Sequence, residues 1–306
     1  MTRKMVAVNV FFFVFIAAVT GVAQKNNNKS AQWQAVEQAI GRAGQVQPDG
    51  AYKVSFPRSD LKVTVEGVEL KPALALGGWV AFSKPGADSM IMGDLVLTEE
   101  EIAPVMASLQ NAGLQITALH NHLLHESPRV MYMHIGGHGD AAKLASAVKE
   151  AVAQSKAPAP QPPAAAQQDL GIDTAGIQQA LGHQGKVNGG VFQVSVPRKD
   201  SIHQGNVTAG AMKVPNSMGL ATGLNFQPTG GGKAAITGDF VLIGSEVNPV
   251  IQALRSNGIE VTAVHSHMLD EQPRLFFMHF WANDDAVKLA KGLRAALDKI
   301  NSQTGK

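Results

Sequence analysis

Six of the ten histidines in this 306-residue chain stand in two matching sets: His120, His122 and His134, then His265, His267 and His279. Each set reads H-x-H, and its third histidine follows twelve positions after the second. The same glutamate, proline and arginine accompany each set (Glu126, Pro128 and Arg129; Glu271, Pro273 and Arg274). On a strand, alternating side chains would point both imidazoles of H-x-H to one face. A third imidazole from a returning strand and a carboxylate from the turn would then complete a ligand set suited to zinc or another borderline divalent metal, with room for a water. His120, His122, His134, His265, His267 and His279 are therefore candidate metal ligands. Glu126 and Glu271 are candidate fourth ligands, or general bases acting on a metal-bound water. Arg129 and Arg274 are candidate contacts for an anionic substrate group, or for positioning the two glutamates. The plainer alternatives are hydrogen-bonding histidines within a hairpin and arginines in salt bridges with Asp94 or Asp239.

The two sets belong to a longer duplication. Gly93–His134 reappears without a gap 145 positions later as Gly238–His279, with 19 of 42 positions identical. Apolar positions drift between the copies (Val130/Leu275, Met131/Phe276, Tyr132/Phe277), as packing alone allows. The histidines, glutamate, proline and arginine do not drift, which points to a site. His125 and His138 are confined to the first copy, where the second has Asp270 and Asn283, so the first is richer in potential ligands. His183 and His203 carry no pattern. Met131, Met133 and Met278 read as core filler. Gly136-Gly137-His138-Gly139 reads as a turn before a helix, with anion binding at that helix start as the alternative.

The elements that would carry these residues follow from periodicity. A helix over roughly 32–43 places Trp33, Val36 and Ile40 on one face. Strands are expected at 52–56, 61–65, 79–82 and 90–97. Thr98 with Glu101 makes a capping box for a helix ending at Gly113. Strands at 114–122 and 128–135 and a helix at 140–153 complete the module. The second copy repeats the order, with a helix near 171–181, a strand at 191–196 and a helix at 285–297. Pro57-Arg58-x-Asp60 recurs as Pro197-Arg198-x-Asp200. This order predicts an α+β fold of two tandem duplicated modules, each a mainly antiparallel sheet with helices packed on one face. The modules span 31–153 and 170–301, joined by a Pro/Ala-rich linker at 154–169. H-x-H-x(3)-E also supplies metal ligands in cupins, but helices flanking the hairpin do not suit that barrel.

Composition narrows the functional classes. Residues 1–23 combine Arg3 and Lys4, an apolar run and small residues before Ala23, the pattern of a cleaved signal peptide; an uncleaved anchor is the alternative. Of 26 basic and 24 acidic residues, losing Arg3 and Lys4 leaves 24 against 24. That balance offers no basic stripe for nucleic acid. The chain has no cysteine, which excludes disulfides, thiolate metal sites and an acylated N-terminal cysteine. The expected destination is a bacterial periplasm or the secreted fraction, with no stable membrane anchor after signal cleavage.

The segments TALHNHLLHESPRVMYMHIGGHGDAAKLA and TAVHSHMLDEQPRLFFMHFWANDDAVKLA, with the PR-x-D strand and GGWVAF at 77–82, resemble the LppY/LpqO-type family of exported bacterial proteins. The resemblance covers both modules. It implies export and a duplicated domain but supplies no reaction, and the lipid anchor of the name-giving members is not carried over without a cysteine. Three readings stay open. One is a metal-binding protein with a His/Glu site in each repeat, extending to metal-dependent hydrolysis. Another is a non-catalytic module recognising a small-molecule or envelope ligand. The third is a purely structural use of the histidines.

Overall fold

The computed structural model describes residues 31–159, 169–198 and 207–301. The signal segment, most of the linker, Asp200 and His203 lie outside the described residues.

In the first module a short helix, α1 (Gln34–Ile40), precedes strands β1 (Gln45–Val46) and β2 (Tyr52–Pro57). Two-residue strands β3 (Thr64–Val65) and β4 (Val68–Glu69) follow, then β5 (Gly77–Phe82) and β6 (Ser89–Thr98). Helix α2 (Glu99–Asn111) leads to β7 (Gln115–His120), β8 (Glu126–Ser127), β9 (Val130–Gly139) and helix α3 (Ala141–Val152). The long strands form one antiparallel sheet in the order β1-β2-β5-β6-β9-β7. Alternation divides its residues. Tyr52, Val54, Phe56, Val80, Phe82, Ile91, Leu95, Met133 and Ile135 face the helices and pack with Val36, Ile40, Leu109, Leu144 and Val148. The other face carries Asp94, opposite His134 in the ladder.

The second module repeats this with α4 (Thr174–Leu181), β10 (Gly185–Asn188), β11 (Val191–Val196), β12 (Thr208–Ala209), β13 (Met212–Lys213), β14 (Thr222–Gly230) and β15 (Lys233–Leu242). Helix α5 (Gly244–Ser256), β16 (Glu260–His265), β17 (Glu271–Gln272), β18 (Phe276–Asp285) and α6 (Ala286–Leu297) complete it. Its sheet order is β10-β11-β14-β15-β18-β16. The α+β class, the duplication and the antiparallel sheets with helices on one face agree with the sequence reading. Two details differ. Segment 61–65 contributes only β3 to a separate three-stranded sheet, β4-β3-β8, and 136–139 continues β9 rather than turning. The start of α3 is capped by Asp140, whose carboxylate accepts from Ala142 and Lys143 N–H, so no anion is needed there.

The helix-free faces meet each other through the small sheets. Val63, Val65, Leu70, Leu74 and Leu76, around β3 and β4, pack with Val191, Ala235 and Trp281 of the second module. Reciprocally Val207, Ala209, Val214, Met218 and Leu220, around β12 and β13, pack with Ala51, Ala81, Met90 and Met92 of the first. Polar bonds lock the seam: Gln227 Nε2 donates to Glu69 O at 2.7 Å and Lys71 N to Gln227 Oε1 at 2.8 Å. The modules are thus interlocked by an approximate two-fold exchange.

Each PR-x-D arginine anchors its module. Arg58 is buried, pairs with Glu101 at 2.7 Å and donates to Val96 O, while Glu101 accepts from Thr98 N–H at the start of α2. Arg198 does the same with Glu246 and Val241 O. Removing one partner of such a pair leaves the other charge buried and uncompensated. Arg58→Ala is expected to destabilise the protein by about 3–5 kcal/mol, read as a lowered midpoint in urea denaturation; a loss below about 1 kcal/mol, the range of an exposed pair, would contradict this role.

Candidate metal centre

The edge strands β7 and β16, one from each module, approach each other at the seam. Thr117 Oγ1 donates to His267 O at 2.7 Å, and Thr262 Oγ1 donates to His122 O. These reciprocal bonds bring both H-x-H segments to one place.

In the ladder His120 lies opposite Tyr132 and Ala118 opposite His134, so His120 and His134 are diagonal neighbours on the seam face. Strand β7 ends at His120, and His122 lies beyond it. There Asn121 Nδ2 donates to Leu123 O at 2.9 Å, and Leu123 is buried in the core shared with the second module, drawing the chain off the ladder. His122 reaches the same centre, its ring 5.0 Å from that of His120 and stacked on Tyr132 at 3.3 Å. His267 stacks on Phe277 in the same way.

The closest imidazole pairs all cross the seam. Ring centroids lie 3.6 Å apart for His120/His265, 3.7 Å for His122/His279 and 4.0 Å for His134/His267. Three overlapping triads have their donor nitrogens within 4.8 Å of one another: His120, His122 and His134; His120, His265 and His279; and His134, His265 and His267. One triad is drawn from the first repeat alone and two mix the repeats. His120, His122 and His134 come together as expected for the first repeat, whereas the second repeat's set forms no triad of its own and joins the first in one composite cluster, so the expectation of a separate site in each half holds on one side only. The physical reason is that both helix-free sheet faces, with their H-x-H edges, cover each other.

The tautomers follow from the outer contacts. His279 Nδ1 lies 2.7 Å from Gly238 O and His120 Nδ1 2.9 Å from Asn121 O. A carbonyl oxygen has only lone pairs, so these nitrogens donate, and the Nε2 atoms carry lone pairs aimed inward. His134 bonds the Gly93 backbone likewise. Gly238 allows no side chain here, since a Cβ would sit 1.9 Å from Gly223 O. The Nε2 atoms of His120, His122, His134 and His267 are buried without a hydrogen-bond partner. His265 Nε2 and His279 Nε2 lie 2.8 Å apart. Inward lone pairs held by a backbone acceptor on the far side of the ring, as at His120, His134 and His279, are the usual outer support of a metal-binding histidine.

Two carboxyls join the centre. Asp94 Oδ2 is 3.6 Å from His122 Nε2 and Asp239 Oδ2 is 3.3 Å from His267 Nε2, and the Oδ1 atom of each is buried without a partner. Burial raises the Asp94 carboxyl to about 7, partly opposed by Lys53, and raises Asp239 well above the ordinary range with Asp94 adding to the effect. Burial also holds the six imidazoles neutral. His120 is lowered to about 4 and His279 to about 3, and His122, His134, His265 and His267 also fall well below the usual value, with neighbouring imidazoles contributing to the last five. Lys53, itself lowered by burial to about 8, lies over the Trp79 ring at 4.0 Å. The sequence reading missed Asp94 and Asp239 as site residues. The signal was present in Gly93-Asp94 and Gly238-Asp239, which open the duplicated stretch with a carbonyl for an imidazole and a carboxyl beside it.

The other expected residues stand apart from the triads. Glu126 Oε1 accepts from Val130 N–H at 3.2 Å, and burial raises its carboxyl to about 7. Glu271 is fully buried, accepts from Leu275 N–H at 3.0 Å and pairs with Arg274 at 3.2 Å. Both glutamates hold the turn into the returning strand. Arg274 therefore positions Glu271, while Arg129 is exposed and lies 4.0 Å from Glu99. Salt bridges from these arginines to Asp94 or Asp239 are not what forms, because both aspartates point into the seam and both arginines stand at the outer turns.

Comparison with known proteins adds a family and little else. No curated protein matches the chain. A trimeric bacterial microcompartment shell protein, PduB, aligns with 84% of this chain and 91% of its own at 16% identity and a TM-score of 0.20, too low to argue even a shared fold. A family model matches twice, over residues 34–154 and 175–299, so that most of the chain lies within it. By that match, the chain belongs to the family described as Domain of Unknown Function (DUF1259), present here as two copies.

Proposed function

We propose that this chain is an exported bacterial cell-envelope protein that binds a divalent metal in one histidine centre built across its two repeats. The observation that carries this reading is the inward convergence of six imidazoles and two carboxyls, four of the imidazoles and both carboxyls having a buried polar atom without a partner. In the metal-free form His265 donates its one N–H to His279 Nε2 at 2.8 Å, since His279 Nδ1 is committed to Gly238 O. Burial opposes a second proton on any of the six rings, so a cation is the partner open to the four unpaired Nε2 atoms of His120, His122, His134 and His267. Zinc fits best, since imidazole with a carboxylate oxygen is its common donor set.

Export rests on the Arg3-Lys4 start, the apolar run and the small residues before Ala23, together with the resemblance to LppY/LpqO-type proteins. Among the described residues no helix is long and apolar enough to cross a membrane. The even charge of the mature chain favours a small-molecule or envelope ligand over nucleic acid. Metal binding is placed ahead of hydrolysis because neither Glu126 nor Glu271, the expected bases, belongs to the histidine triads, and both oxygens of Glu271 are engaged in holding its turn.

Two measurements test the centre. Purified mature protein is expected to carry zinc and, once stripped, to gain about 2.7 kcal/mol of stability when free zinc is about 100 times its Kd; the double substitution His120→Ala/His265→Ala should abolish that gain. A stripped protein whose melting is indifferent to zinc would overturn the reading. The metal-free protein should also melt at lower temperature as pH falls from about 7.5 to about 5. Its imidazoles, depressed in the folded state, take up protons only on unfolding below about 6.5, so their contribution is full above that value and lost beneath it. Asp94, Asp239 and Glu126 act in the opposite sense, because their folded values are raised, but three carboxyls oppose six imidazoles. Calorimetry showing a flat or rising melting temperature over that range would contradict neutral buried rings.

A further inference from the structure

The two sides of the centre differ in one respect that the duplication does not predict. Five of the chain's eleven methionines, Met90, Met92, Met212, Met218 and Met268, lie in or against the core on the His267 side of the seam. The described members of the corresponding core on the His122 side include no methionine. At the offset of 145, Ala235 stands for Met90, Thr237 for Met92 and Leu123 for Met268.

The register makes a path of these residues. On the seam face of the first sheet Met90 lies opposite His138, Met92 opposite Gly136, and Asp94 opposite His134. Successive rungs therefore run from the exposed rim at His138 to the buried centre. A cavity of about 30 Å³ opens along them, lined by Met90, Met92, Met268, Gly136, His138 and His267, with room for one ion or water. His267 is 6% exposed, and its Nε2 has no hydrogen-bond partner. In the second copy Trp281 occupies the place of Gly136, is packed into the opposite core and donates to Glu66 at 3.0 Å, and Asn283 replaces His138.

Thioethers are soft, polarisable donors that do not compete for hard divalent ions but select cuprous copper and its analogue silver(I). Plain core packing accounts for buried methionine, but not for a buried and an exposed imidazole lining the same hollow as three of them. We propose that this pocket is a second metal site, a thioether–imidazole site for a monovalent soft cation, cuprous copper in the cell envelope, formed on one side of the molecule only. Met90, Met92 and Met268 supply the sulfurs, His267 the buried imidazole and His138 the imidazole at the mouth. The thioethers belong to this pocket alone, whereas His267 stands on the boundary with the divalent centre.

Silver(I) is the redox-inert probe, titrated into the metal-free full chain carrying ¹³C-methyl methionine. One equivalent should shift the methyl resonances of Met90, Met92 and Met268 and leave those of Met106, Met131 and Met133 in place. Met90→Leu/Met92→Leu/Met268→Leu, near-isosteric changes, should weaken silver binding by more than about tenfold while leaving zinc stoichiometry unchanged. His138→Asn should weaken it less. Absence of silver binding, unmoved methyl resonances, or a triple variant that binds silver as tightly as the parent would overturn the proposal. The methyl shifts decide the matter even if the triple variant fails to fold. Zinc titrated in parallel separates the two sites: silver uptake without zinc uptake would sink the divalent centre alone.

Discussion

Six imidazoles and two carboxyls share one dehydrated seam, and the molecule must compensate them. Unpaired buried polar atoms cost on the order of 1–3 kcal/mol each, and buried carboxylates cost more when no cation stands by. The fold accepts that burden at the one place where its two halves touch. Imidazole planes are fixed from outside by backbone carbonyls at Gly238 and Asn121, and from beneath by Tyr132 and Phe277. The inner nitrogens of His120, His122, His134 and His267 are left without a partner. Such an arrangement is stable when a cation supplies what the protein withholds, which couples metal occupancy to the integrity of the seam.

The rest of the architecture serves this convergence. Each sheet gives one face to helices and the other to its twin, so the polar ladder Asp94–His134 and its copy Asp239–His279 are pressed together rather than exposed to solvent. The small sheets reach across and seal the seam with apolar side chains, and Gln227 and Lys71 tie the arms down. Arg58 and Arg198 hold strand ends to helices within each module, away from the centre. Apolar positions of the duplicated stretch drift between the copies, whereas an imidazole aimed at a shared point has no substitute of the same reach and lone-pair geometry.

Much of this was legible in the residue pattern, and its failures are instructive. Alternation and capping signals placed β2, β6, α2, β9 and α3 because each buries one periodic face, a local property. The kept histidines marked the site because polar identity outlived apolar drift. What local pattern does not encode is which sheet face meets which module, so a single composite centre was read as two. His122 was placed on a strand that ends at His120, because the buried turn at Leu123 depends on the other module. Glu126 and Glu271 were favoured over Asp94 and Asp239 because they lie close to H-x-H along the chain, whereas the aspartates arrive from β6 and β15, neighbours only across the ladder. The glycine run at 136–139 looked like a turn; as strand, it opens space that Trp281 fills in the second copy.

The central claim is that both repeats grip the same metal. Crystals of the zinc-loaded protein, measured at the zinc absorption edge, test it most directly. The account predicts an anomalous peak at the seam with Nε2 atoms from both modules about 2.0–2.1 Å away. A peak liganded by one module alone, or no peak among the six histidines in zinc-saturated crystals, would contradict it.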